Sequence, residues 1–138
     1  MLANGITLEV KKDGAADYVM LQDLQEVPDL GVEPEKVDNT RLKDKMKHSE
    51  LGIGDPGDLA YKFAYENSSA NSDYRVLREI SDSGKVASYR ETFPDGTKFE
   101  FEAYSSIKVG GGGVNAAIAF TLTLALQSDI KTTDPTAE

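Results

Sequence analysis

The chain has 138 residues, enough for one domain with a real core. Its 39% hydrophobic and 28% charged residues fit a globular protein, and 24 acids against 15 bases (formal charge −9) exclude a protein that wraps nucleic acid. With no cysteine, disulfides and thiolate metal sites are excluded as well.

Like charge does not exclude a wall that DNA slides past, because repulsion prevents sticking. The N-terminal MLANGITLEV has neither the basic nor the apolar region of a signal peptide, which predicts synthesis in the cytosol. The apolar run near residues 116–126 is interrupted by threonines and is too short to span a bilayer, so no membrane insertion is expected.

In chain order, residues 5–11 predict a first strand with Ile6, Leu8 and Val10 on one face, ended by Lys12-Asp13-Gly14. Residues 17–27 predict a second strand, although Leu21 and Leu24 also suit a short helix. Pro28 to Gly31 is a turn. Residues 34–57 carry prolines, glycines and the mixed-charge run RLKDKMKHSE, with few large apolar residues. They predict either a long mobile loop or a strand pair that buries no face by itself. Residues 59–66 alternate, with Leu59, Tyr61, Phe63 and Tyr65 on one face. Ser72 or Asp73 then caps a helix at about residues 73–82, with Tyr74, Leu77 and Ile80 as its apolar stripe, Val76 beside it and Gly84 ending it.

Strands follow at 85–93 and 97–107, joined by the turn Pro94-Asp95-Gly96. In the second of these, Phe99, Phe101 and Ala103 fall on one side. Lys98, Glu100, Glu102 and Tyr104 fall on the other. After Gly110 to Gly113 a last strand puts Ile118, Phe120, Leu122, Leu124 and Leu126 on one face. Ala117, Ala119, Thr121, Thr123 and Ala125 take the opposite one. The expected fold is mainly β, an antiparallel β-sandwich or barrel with one flanking α-helix and an arm at 34–57. Residues 1–130 are expected to form one domain, and residues 131–138 a flexible tail.

Chemistry is hard to find. His48, the single histidine, sits in a charged run with no triad or metal spacing, and reads as a solvated loop residue. The glycine run lacks the Lys and Ser or Thr of a phosphate loop and reads as a flexible hairpin loop. Glu100 and Glu102 stand roughly 7 Å apart on one strand face, which more often means a wet face than an acid–base pair. Arg75, Arg78, Lys85 and Arg90 form a modest basic cluster, either solvated or engaged in salt bridges between subunits. No catalytic residue, cofactor or metal ligand is predicted.

The stretch SYRETFPDGTKFEFEAYSS, Ser88 to Ser106, resembles the hairpin of the lambda-type tail tube proteins of long-tailed (siphovirus) bacteriophages. The resemblance lies in Phe93-Pro94-Asp95-Gly96-Thr97, in the alternating strand after it, and in Tyr104-Ser105-Ser106-Ile107. It extends loosely to the GITLEV strand, to Val37-Asp38-Asn39-Thr40, to the single helix and to the last strand. It implies a β-sandwich or barrel with a flanking helix, related in fold to the tube protein of type VI secretion systems. It also implies homohexameric rings that stack into a hollow tube in the virion tail, assembled in the bacterial host cytoplasm. Such a tube houses the tape measure protein, meets distal tail and terminator proteins, and conducts DNA without binding it specifically.

On that resemblance, the lumen lining falls to Lys98, Glu100 and Glu102 or to Thr121 and Thr123, with the choice open. The inter-ring stacking arm falls to about residues 38–55, with Asp38, Arg41, Lys43, Lys45, Lys47, His48 and Glu50 as candidates. The alternatives are the tube protein of a contractile tail or type VI-like system, or a stand-alone β-sandwich binding module.

Overall fold

The computed structural model describes residues 2, 4–31, 36–38, 46, 49–51, 58–114 and 116–135. The elements run β1 (Thr7–Lys11), β2 (Val19–Leu21), β3 (Leu24–Glu26), β4 (Lys36–Asp38), β5 (Ser49–Leu51), β6 (Asp58–Ala64), α1 (Asp73–Ser83), β7 (Ala87–Thr92), β8 (Lys98–Val109), β9 (Ala119–Leu126) and β10 (Lys131–Thr133). One antiparallel sheet has the order β2-β1-β7-β8-β9-β6-β3, with β10 added to β8, and β4 pairs with β5 separately.

Connectivity forces this sheet to curl. β2 and β3 lie at its two ends, yet only Gln22 and Asp23 separate them in sequence. Leu21 and Leu24 therefore stand at most about 11 Å apart, whereas seven flat strands would place the outer two about 29 Å apart. The expected fold class holds, a mainly β protein with a curled antiparallel sheet and one helix.

Residues 17–27 form neither one strand nor a helix. The chain breaks at Asp23, whose N–H donates to the Asp73 carboxylate at 2.7 Å. Its C=O accepts the Ala64 N–H at 2.9 Å. β2 pairs with β1, and β3 pairs with β6 across a register shift. The break resets the strand alternation, so Leu21 is buried and Leu24 also packs on the core. That is why the pair mimics helical spacing in the sequence.

The inner face of the sheet carries Leu8, Val10, Tyr61, Phe63, Tyr89, Phe101, Ala103, Phe120, Leu122 and Leu124, all buried. Helix α1 adds buried Leu77 and Ile80, with Tyr74 and Val76 beside them. Gly84 ends the helix in the left-handed region at φ 67°. Ser72 occupies the N-cap position without capping by its side chain. Its Oγ instead accepts the Ser69 N–H at 3.1 Å.

The polar tail expected from residue 131 begins with a strand. Lys131, Thr132 and Thr133 pair with Glu100, Phe99 and Lys98. The apolar pattern gives no sign of this, because backbone pairing along an edge needs no apolar side chain. The arm at 34–57 contains the two-stranded pairing of β4 with β5, which fits the strand-pair alternative for that region.

The hairpin turn at Pro94-Asp95-Gly96 is held by Gly96 N–H donating to the Phe93 carbonyl and Phe93 N–H donating to the Thr97 carbonyl, both at 2.9 Å. The Asp95 carboxylate accepts the Thr97 N–H at 3.0 Å, which holds its pKa below the ordinary value. Gly96 has φ 97°, and a Cβ placed on it would lie 3.3 Å from the Pro135 Cβ. Gly96→Ala is expected to cost about 1–2 kcal/mol from this backbone conformation alone. Thermal denaturation followed by circular dichroism checks it.

Candidate functional site

The side of the sheet turned away from the core is one continuous polar surface, and β8 runs through both halves of it. Residues 98–103 of β8 pair with β7, and residues 103–109 pair with β9. Lys98, Glu100 and Glu102 therefore share a sheet face with Thr121 and Thr123. The two candidate linings, which looked like alternatives in the sequence, are neighbouring regions of one wall.

The first region is a charged ladder across four strands. Glu9 of β1 stands opposite Arg90 of β7, Arg90 opposite Glu100 of β8, and Glu100 opposite Lys131 of β10. Arg90 grips Glu9 with two nitrogens, at 2.7 and 3.1 Å. Their side chains are only 24% and 16% exposed, so the pair is shielded from solvent and salt more than an open surface bridge. The Tyr18 ring lies 4.2 Å from the Arg90 guanidinium and 5.3 Å from Lys11 Nζ. Burial, and then the Glu100 charge, raises the Tyr18 pKa.

The second region mixes small side chains with two lysines. Ala60 and Lys62 of β6 stand opposite Thr123 and Thr121 of β9, which stand opposite Ser106 and Lys108 of β8. Ala64, Ala119 and Ala125 continue the patch. Small residues let another surface approach closely.

The chain's acidic excess is not concentrated on this wall. Among the described residues, Lys11, Lys62, Arg90, Lys98, Lys108 and Lys131 stand among Glu9, Glu26, Asp58, Glu100 and Glu102. An acidic lining that repels phosphates is therefore not what this face presents. Three members of the basic cluster predicted from Arg75, Arg78, Lys85 and Arg90 have partners within the chain. Arg75 donates to Asn67, Arg78 lies over the Tyr74 ring, and Arg90 holds Glu9.

Among the described residues β3 and β10 each have a strand on one side only, and two further open edges, on β2 and β8, carry half-exposed large apolar side chains. β2 has β1 on one side and no strand on the other, and its Val19 and Met20 are 50% and 47% exposed. β7 ends opposite Ala103, so β8 from Tyr104 to Val109 is paired only on the β9 side. Tyr104 and Val109 are similarly exposed there. Of the arm candidates, Asp38 lies in β4 and Glu50 in β5. Arg41, Lys43, Lys45, Lys47 and His48 lie outside the described residues.

Nothing on this wall gathers the groups of an active site. Among the described residues no three metal-ligating side chains come together. A groove of about 530 Å³ between the start of β1 and β3 contains Glu26 as its single ionisable residue.

The family described as phage tail tube protein, TTP, matches residues 5–134. The chain belongs to that family. Family membership makes it a structural protein of the phage tail tube, not an enzyme. No curated protein matches the chain by sequence. Among solved structures, this tail tube protein is similar to the tail of an empty GTA particle refined with C6 symmetry, at 19% identity and a TM-score of 0.73, covering 96% of this chain and 99% of the other. It is similar to the SPP1 tail tube at 11% identity and a TM-score of 0.71, covering 99% and 81%. It also matches the anti-feeding prophage baseplate, 6-fold symmetrised, at 10% identity and a TM-score of 0.73, covering 97% and 95%. At these identities the likeness establishes the shared fold.

Sequence reasoning missed two members of the site, and one acid in the core behind it. Glu9 and Tyr18 depend on strand register, which no local pattern carries. Glu91 was legible: Ala87 and Tyr89 are inward residues, and period 2 puts Glu91 in the core beside them.

Proposed function

We propose that this tail tube protein closes into sixfold rings through two of its open strand edges, that of β2 and that of β8 from Tyr104 to Val109, and that the rings stack into a tube lined by the polar wall. The carrying observation is the pair of edges. Exposed apolar edges are a liability in a monomer, and a ring that pairs them head to tail removes both at once. The sixfold symmetry of the GTA tail and of the prophage baseplate supports the count.

In this reading Lys98, Glu100, Glu102, Thr121 and Thr123 face the lumen together. With both charge signs in the lining, DNA passes because no single-sign basic patch holds it. The tape measure protein occupies the same lumen before ejection, terminator and distal tail proteins cap the ends, and assembly takes place in the host cytoplasm. The β4–β5 pair and the segment it bounds form the stacking arm.

A contractile tail is the second reading, favoured by the fold match to the anti-feeding prophage baseplate. It requires a sheath protein on the outside of the tube, and the hairpin resemblance to long-tailed phages favours the tube without one.

Negative-stain electron microscopy of the purified protein at low and high concentration tests the assembly. Hollow tubes or stacked rings with sixfold end views are expected. Removing residues 40–52 is expected to leave rings that no longer stack. Normal tubes from that deletion would reassign the arm, and a protein monomeric at every concentration, with or without tail tips to nucleate it, would overturn the ring.

A further inference from the structure

A carboxylic acid lies in the core with no role in the wall. Glu91 points inward from β7 and is 1% exposed. Neither of its oxygens completes a hydrogen bond among the described residues, nor does the hydroxyl of Tyr61, which faces it from β6. Its cross-strand neighbours are Leu8 of β1 and Phe99 of β8, neither of which titrates. Tyr89, the next inward residue on β7, turns its hydroxyl to Ser105. No charged side chain acts on the carboxyl.

A buried carboxylate with no counter-charge, and with one hydroxyl near it that completes no well-formed hydrogen bond, is among the most costly groups a core can hold, and the usual escape is to keep the proton. We propose that Glu91 is a proton switch on the closed sheet: the chain folds around its neutral acid, and ionising it loosens the packing between β7 and β6. Those strands lie on opposite flanks of the β8–β9 pair, so their side chains meet across the core only while the sheet stays curled. A charge at that meeting point draws water in and favours opening.

Burial pushes the Glu91 carboxyl above its ordinary 4.5, and the Tyr61 hydroxyl offsets this only in part. Folded chains therefore hold a proton that unfolded chains release above that pH. The stabilisation from the neutral form is complete below pH 4.5 and is lost as pH rises through the raised folded-state value. Asp23, raised by burial and by the charges of Asp73 and Glu66, adds a slope of the same sign. Glu66, Glu79 and Asp95 are lowered by hydrogen bonds, and their effect appears on the acid side. Tyr89, pushed up to about 12 by burial, titrates beyond the window.

The test is the Tm between pH ~5 and ~9 of the wild type, Glu91→Gln and Glu91→Leu, bracketed by ordinary carboxyl and tyrosine values. The wild-type Tm is expected to fall across this range, and to fall more steeply than that of Glu91→Gln. Glu91→Gln should keep only the residual slope from Asp23, and Glu91→Leu should exceed the wild type at the alkaline end. A Glu91→Gln profile that falls in parallel with the wild type overturns the proposal. Should neither variant fold, infrared spectroscopy of the wild type at pH ~6, where exposed carboxyls are ionised, decides. A persisting protonated-carboxyl band supports the switch, and its absence overturns it.

Discussion

Replacing Phe120 with alanine is expected to lower folding stability by about 3–5 kcal/mol, a large share of the roughly 5–15 kcal/mol that holds a domain together. Phe120 is 1% exposed and sits where three elements meet. Its ring stacks on Phe63 of β6, with centroids 5.1 Å apart and planes 5° from parallel. The edge of Tyr74 from α1 meets it at 5.6 Å and 70°. Alanine leaves a void that neither strand can close, because Phe63 and Phe120 are direct cross-strand partners and the strand spacing is set by the backbone. Ile118 provides the internal comparison. It shares the strand parity of Phe120 but lies beyond the start of β9 and is 50% exposed. Ile118→Ala is expected to change stability by about 1 kcal/mol or less. Urea denaturation of the two variants checks both values. Equal losses would mean that the helix is not anchored through Phe120.

Much of this architecture was legible because a half-buried strand writes its burial into every second residue. Phe101 and Ala103 of β8, and Phe120, Leu122 and Leu124 of β9, are inward as their alternation predicts. The helix was legible from Leu77 and Ile80 and from the glycine at 84, and the hairpin from Pro94-Asp95-Gly96. Features set by partners rather than by periodicity stayed hidden. The split of residues 17–27 into β2 and β3 depends on Asp73, 50 residues away, capturing the Asp23 amide. The common face of the two candidate linings depends on β8 changing partner at Ala103, which only a strand longer than either neighbour can do. Nor does total charge reveal where charge sits. A chain of net −9 presents a wall of both signs.

Charging either the β2 or the β8 edge is expected to abolish ring assembly while leaving the subunit folded, and mixing the two kinds of variant should not restore it. Val19→Lys places an ammonium on the edge strand β2, and Val109→Lys places one at the end of β8. Both positions are about half exposed, so each change should alter stability by about 0.5 kcal/mol or less. At a paired edge, however, each lysine would be desolvated without a partner. If the rings join β2 of one copy to β8 of the next, each single variant retains one good edge of each junction but never both, and stays monomeric. An equimolar mixture offers one working junction, the intact β8 edge of the Val19→Lys copy against the intact β2 edge of the Val109→Lys copy. Such a mixture should stop at heterodimers, because the outer edges of that dimer are the two charged ones. Size-exclusion chromatography with light scattering reads the difference. A self-complementary contact predicts something else: the variant charged on the uninvolved edge would still dimerise by itself. Homodimers of either single variant would therefore rule out the head-to-tail junction, and monomers that pair only when mixed would fix both the edges and the direction in which the ring is built.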